Sequence, residues 1–137
     1  MKSSLPPLLP RDKHDTDTAA ALVALGWERV ACVAPQMLAW LQDGNWPVAA
    51  VLRPFLVAQG ARLAPHVKPI FATDDDVWKY FILADLVRQS PELASALGTE
   101  LARMAGSPTA GERLEGVAAQ AQEILATRNG RRDCGIE

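Results

Sequence analysis

Asp12-Lys13-His14-Asp15 is the densest polar cluster in the sequence, and a histidine flanked by carboxylates has the parts for shuttling a proton or binding a metal. Adjacent residues cannot all aim at one ion, and no second histidine stands at matched helical spacing. A helix-start segment capped by Asp15 is therefore the stronger reading. His66, the other histidine, stands alone and reads as a surface or packing residue. Asp74-Asp75-Asp76 offers hard oxygen ligands, yet it lacks the alternating ligands, turn glycine and distal glutamate of a calcium loop. Carboxylates there cap free amides and face the positive end of a helix dipole. Asp75 precedes Lys79 by four residues, the favourable order for a helical ion pair. Cys32 has no histidine and base arranged around it as a nucleophile needs. Phosphate-binding glycine loops, the GxSxG elbow and paired zinc histidines do not occur. These readings predict no catalytic residue, no metal and no cofactor.

Four tryptophans remain. Trp46 and Trp78 each sit beside acidic or amide residues at an expected helix start, and core packing is favoured over an exposed ridge for both. Trp27 and Trp40 say less. If function has a place, the sequence puts it where polar helix starts and aromatics gather. That candidate partner-binding patch comprises Asp12, Lys13, His14, Asp43, Asn45, Trp46, Asp74, Asp76, Trp78 and Lys79.

The elements that must position these residues are helical. Prolines stand where helices should start and glycines where they should stop, which predicts about seven segments and no strand. The first runs from Thr16 to Leu25, opened by Asp15 or Thr16 as its cap and closed by Gly26 in the left-handed α conformation. The second runs from Pro35 to Asp43-Gly44, burying Met37, Leu38 and Leu41. The third follows Asn45-Trp46-Pro47, with Val48, Val51, Leu52, Phe55 and Leu56 on one stripe and a kink expected at Pro54. The fourth spans Leu63 to Ala72. The fifth opens at the aspartates and is so apolar from Val77 to Val87 that neighbours must cover it on most sides. The sixth runs from Pro91 to Ala105. The seventh starts at Ser107-Pro108 and buries Leu114, Val117, Ala118, Ala121, Ile124 and Leu125.

Ala34-Pro35 and Ala64-Pro65 lie thirty residues apart, and Trp46 and Trp78 thirty-two apart. That period suggests stacked pairs of antiparallel helices, of the HEAT or armadillo type. One domain over residues 1–127 is expected, with residues 1–15 docking across the first pair and residues 128–137 a frayed, flexible tail.

The composition narrows the partners. Residues are 49% hydrophobic and 22% charged, with a net charge of −2, so no positive field attracts nucleic acid or an acidic membrane. Apolar runs are too short and too interrupted to span a bilayer, and the segment Leu5 to Leu9 is no signal peptide. Cys32 and Cys134, far apart and outside CxxC spacing, suit a reducing cytoplasm.

Three stretches together resemble a small bacterial family known as domain of unknown function 5071. They are Leu8-Leu9-Pro10-Arg11-Asp12-Lys13-His14-Asp15, Trp40-Leu41-Gln42-Asp43-Gly44-Asn45-Trp46-Pro47-Val48 and Asp74-Asp75-Asp76-Val77-Trp78-Lys79-Tyr80. The resemblance implies a HEAT-like helical fold and no established activity. The expected function is a non-enzymatic module that binds another protein, by analogy in the manner of an immunity protein. The alternatives are a HEAT-like nucleic-acid-binding or glycosylase-type enzyme, which would need a continuous basic groove, and a small-molecule pocket between helix layers. The oligomeric state is not specified by the sequence.

Overall fold

Asp15 opens the first helix as expected. Its carboxylate accepts the Thr18 amide at 3.3 Å, and α1 spans Thr16–Leu25. Gly26 closes it with φ 88° and ψ 159°, a glycine region outside the left-handed α conformation. Its carbonyl at once accepts the amides of Arg29 and Val30, so one residue ends α1 and starts α2 (Trp27–Val30), with a 116° change of direction between α1 and the segment Trp27–Gln42. This short helix, and the 3₁₀ turn Ala31–Val33 after it, lie ahead of the second helix expected from sequence.

The computed structural model describes residues 9–136, with side chains through Arg128. Ten α-helices and no strand occur among them, so the chain is all-α. After α2 come α3 (Ala34–Ala39), α4 (Pro47–Ala58), α5 (Ala64–Phe71), α6 (Asp76–Ile82), α7 (Pro91–Ala96), α8 (Gly98–Gly106), α9 (Ala110–Leu114) and α10 (Val117–Ile136). α1 lies against α4, α6 against the 3₁₀ turn Trp40–Gln42, and α10 against α8 and α6. No single helix among the described residues is long and apolar enough to cross a membrane.

Pro47 fills the first turn of α4, where its missing amide costs nothing, and the helix continues through Pro54 to Ala58. The carbonyl that Pro54 leaves without its helical partner belongs to Ala50, an exposed residue that water can reach. Val48, Leu52 and Leu56 are fully buried, while Val51 and Phe55 flank them half-covered. α6 is capped by Asp75 and passes into a π-helical segment, Leu83–Val87, in which Arg88 N bonds back to Leu83 O at 2.9 Å. The wider turn brings Ile82, Leu83, Leu86 and Val87 into the core together. Val77, expected under cover, is 44% exposed at the outer end of α6.

Three expectations change further along. The sixth segment divides at Leu97, whose φ of −107° and ψ of 18° separate α7 from α8 while its side chain stays buried. The next cap is Thr109, not Ser107: its hydroxyl accepts the Glu112 amide and the Glu112 carboxylate accepts the Thr109 amide, a reciprocal capping box. Gly116, at φ 85°, then restarts the chain as α10, so Leu114 falls off the buried stripe and is 81% exposed. The backbone of α10 stays helical to Ile136, past the boundary expected at Thr127. At the other end residues 1–8 of the expected docking segment lie outside the described residues. Leu9 packs on the core, Pro10 is buried, and Lys13 O accepts the Val48 amide at 3.1 Å.

Burial repeats every thirty residues along the chain. Val33, Leu63 and Leu93 are buried, as are Ala34, Ala64 and Ala94, then Met37, Val67 and Leu97, then Leu41, Phe71 and Leu101. The Ala-Pro echo is part of this pattern, since 3₁₀ turns lead into both α3 and α5.

Candidate functional site

The ten residues of the expected patch divide among three neighbourhoods. Asp12, Lys13 and His14 form an exposed turn at the start of α4. Asp12 accepts the His14 amide at 2.9 Å, and Lys13 is held to Val48 as above. Asp43, Asn45 and Trp46 share that end: Asp43 accepts the Asn45 amide at 2.9 Å, and Trp46 meets Trp40 edge to face at 5.8 Å. Asp74 is exposed ahead of α6, and Trp78 lies on that helix over a groove described below. Asp76 and Lys79 belong elsewhere.

Lys79 is 3% exposed and cannot serve an open patch, which corrects its place in the expected site. It pairs with Asp76 at 3.0 Å and with Glu112 at 2.9 Å, whereas Asp75, the partner expected from spacing, is committed to capping Trp78 N. Glu112 is 0% exposed. Its carboxylate accepts Lys79 Nζ, the Thr109 amide and both terminal nitrogens of Arg103, the latter at 2.9 and 2.6 Å. The bidentate Arg103 bond, joined by Lys79 and Thr109, outweighs burial and holds the Glu112 carboxyl at about 2, from an ordinary 4.5. Burial works to lower Lys79, but hydrogen bonds and charge from Glu112 and Asp76 overcome it and raise the ammonium. A carboxylate with four donors and no exposed surface has no reach for acid–base chemistry. It is a clamp that ties α6, α8 and α9.

Gly111 lets this clamp close. A side chain there would run into Asp76 Oδ2. Gly→Ala inside an exposed helix ordinarily stabilises by about 1 kcal/mol. Gly111→Ala is expected instead to destabilise, by about 1–3 kcal/mol in urea unfolding, because the Asp76 carboxylate must leave Lys79. A gain in stability would show that Asp76 moves aside freely.

A second ionic pair fixes the Asp43–Trp46 loop. Arg53 Nη2 donates to Gly44 O at 2.8 Å, and Arg53 Nε lies 3.4 Å from Asp85 Oδ2, close enough for charge attraction but not aligned as a hydrogen bond. Burial raises the Asp85 carboxyl, and Arg53 opposes that shift. Asp85 and Phe81 press on Gly44 so closely that a Cβ there would fall 2.5 Å from the carboxylate.

An apolar groove of about 300 Å³ runs along α5. Pro35, Pro65 and Pro69 line it with Ile70, and Trp78 and Thr73 stand at the α6 side. The Trp78 indole N–H donates to Leu38 O at 3.0 Å, and the Thr73 hydroxyl donates to Ile70 O at 2.7 Å. His66 lines the other end, edge-on to Trp27 at 5.8 Å, and Arg62 lies over the Trp27 ring at 5.7 Å. Of the groove residues, sequence reasoning named only Trp78 as a site candidate. The spacing of Ala34-Pro35 and Ala64-Pro65 was the signal, since both prolines line the groove. Arg103 and Glu112 were also missed, although Thr109-x-x-Glu112 carries the pattern of a capping box.

Among the described residues no group of three or more His, Cys, Asp or Glu side chains is placed to hold a metal ion. Cys32 is an exposed free thiol, and the Cys134 side chain lies outside those described. No curated protein matches the sequence. The model of one family does match, over residues 8–125, and the chain therefore belongs to the family described as Domain of unknown function (DUF5071).

Proposed function

We propose that the chain is a non-enzymatic, HEAT-like helical module that binds another protein through the groove between Pro35, Pro69 and Trp78. The observation that carries this reading is an exposed apolar trough lined by the first turns of α3 and α5. Burial at thirty-residue intervals supports a stack of similar units, an architecture that presents extended binding surfaces. Cys32, exposed and free, suits a reducing cytoplasm.

The nucleic-acid alternative draws little support from the charges. Arg53 faces Asp85, Arg88 pairs with Glu123 at 2.9 Å, Arg103 pairs with Glu112 and Lys79 is buried. Cations so engaged do not line up as a phosphate-tracking stripe.

The groove predicts its own test. Pro69 is exposed and interior to α5, so Pro69→Glu places a charge in the trough while removing a residue that helices disfavour. Partner capture from the source cell, followed by titration of the purified partner, should show affinity reduced about tenfold or more by Pro69→Glu and unchanged by Glu100→Gln on α8, a loss of about 1.4 kcal/mol. Equal affinity for both variants would remove the groove from the interface.

A further inference from the structure

We infer that the occupant of this groove is an amphipathic α-helix of the partner, lying along α5 with an acidic residue toward Arg62 and a basic residue toward Asp74. This rests on the reading of the groove as a protein-binding surface. The inference comes from counting donors. Peptide recognition divides by what the groove supplies to the incoming backbone: a sheet edge supplies a ladder of amides and carbonyls, and a polyproline groove sets its ligand among aromatic side chains. Here three wall residues are prolines and carry no N–H at all. The Trp78 indole N–H is spent on Leu38, and the Thr73 hydroxyl proton on Ile70.

An extended strand lying here would turn its own carbonyls toward a wall with little beyond the His66 ring to donate. Each carbonyl so desolvated costs about 1–3 kcal/mol. A helix arrives with its backbone already bonded within itself and presents only side chains, so it avoids that cost; a polyproline segment, whose backbone stays solvated, is held instead by a row of aromatic side chains, and of the groove residues only Trp78 and His66 are aromatic. Charge then sets direction. Arg62, lying over the Trp27 ring that packs on His66, brings a positive charge near one lining residue, and the exposed Asp74 directly follows Thr73, another, so a partner helix complementary to both charges fits in one orientation.

Two peptide libraries displayed against the intact chain test this. One holds lactam-constrained helices with a randomised face, and the other holds extended peptides with proline at alternate positions. Binders are expected from the helical library, weakened about tenfold or more by Pro69→Glu. They should be rich in acidic residues at the end near Arg62, and Arg62→Glu should weaken them by a further several-fold, as rim charges do. Helical binders indifferent to Arg62→Glu would overturn the stated orientation. Binders from the extended library that depend on Pro69 would overturn the helical occupant while sparing the groove. Binders of either kind indifferent to Pro69→Glu, or no binders at all, would overturn the protein-binding reading itself. Pro35→Glu, at another residue lining the groove, repeats the measurement should Pro69→Glu fail to melt like the parent.

Discussion

Glu112→Ala is expected to destabilise the chain by about 3–5 kcal/mol, the usual consequence of removing one partner from a buried ion pair. Two cations lose their anion at once. Lys79, 3% exposed, keeps only Asp76, and Arg103 loses both bonds of its fork. The Thr109 amide loses half of the capping box, so α9 frays at its first turn. Chemical denaturation of Glu112→Ala and Lys79→Met, singly and together, gives the coupling between them; a pair in contact should fall short of additivity by about 0.5–3 kcal/mol. Strict additivity would mean the two side chains do not act as a pair in solution. The same carboxylate sets a pH dependence. Glu112 has its folded value depressed to about 2 from 4.5, so its contribution is present above about 4.5 and is lost as pH falls toward about 2. Asp15, also held at about 2 by the Arg11 amide and then by the Thr18 side chain and amide, loses its contribution over a similar range, whereas Asp85, raised by burial, works in the opposite direction. The difference between the parent and Glu112→Gln isolates the Glu112 part. That difference should shrink between about pH 4.5 and 2.

Local chemistry was legible in the sequence and long-range pairing was not. The bounds of α1 follow from Asp15 and Gly26, and the start of α4 from Pro47, because a cap and a proline act within one turn of themselves. Met37, Leu38 and Leu41 are buried as their spacing required. α2 escaped notice because Gly26, read as a stop, is also a start. Leu114 was misplaced because a pattern carried across Gly116 assumes one continuous helix, and a positive φ resets the register. The meaning of Lys79 depends on Glu112, thirty-three residues away, and no helical period links them. With Asp75 four residues before it, Lys79 looked like a solvated partner in a surface pair, yet its neighbours in space bury it. The groove lay between these cases. Its prolines were visible as helix starters, but that two starters share one trough depends on how α3 and α5 meet.

The apolar helix at the centre gives the other large effect. Leu83→Ala is expected to cost about 2–5 kcal/mol in denaturant unfolding, and Ile82→Ala a similar amount, since both side chains are fully buried. Where each falls in that range depends on how far its surroundings can collapse into the space left. Ile82 ends the α-helical part of α6 and Leu83 begins the π-helical part, where the backbone already departs from its preferred winding. A cavity at Leu83 gives that segment room to relax toward α-geometry, which would turn Leu86 and Val87 out of the positions they share in the core. Leu83→Ala should therefore lower the denaturant midpoint and also speed amide exchange at Arg88, whose N–H closes the π turn on Leu83 O, while Ile82→Ala lowers the midpoint with Arg88 still protected. A loss below about 0.5 kcal/mol at either site would place the core elsewhere. Equal exchange at Arg88 in the two variants would separate the π segment from the packing of Leu83 and leave its wide turn to the Arg53–Asp85 pair beside it.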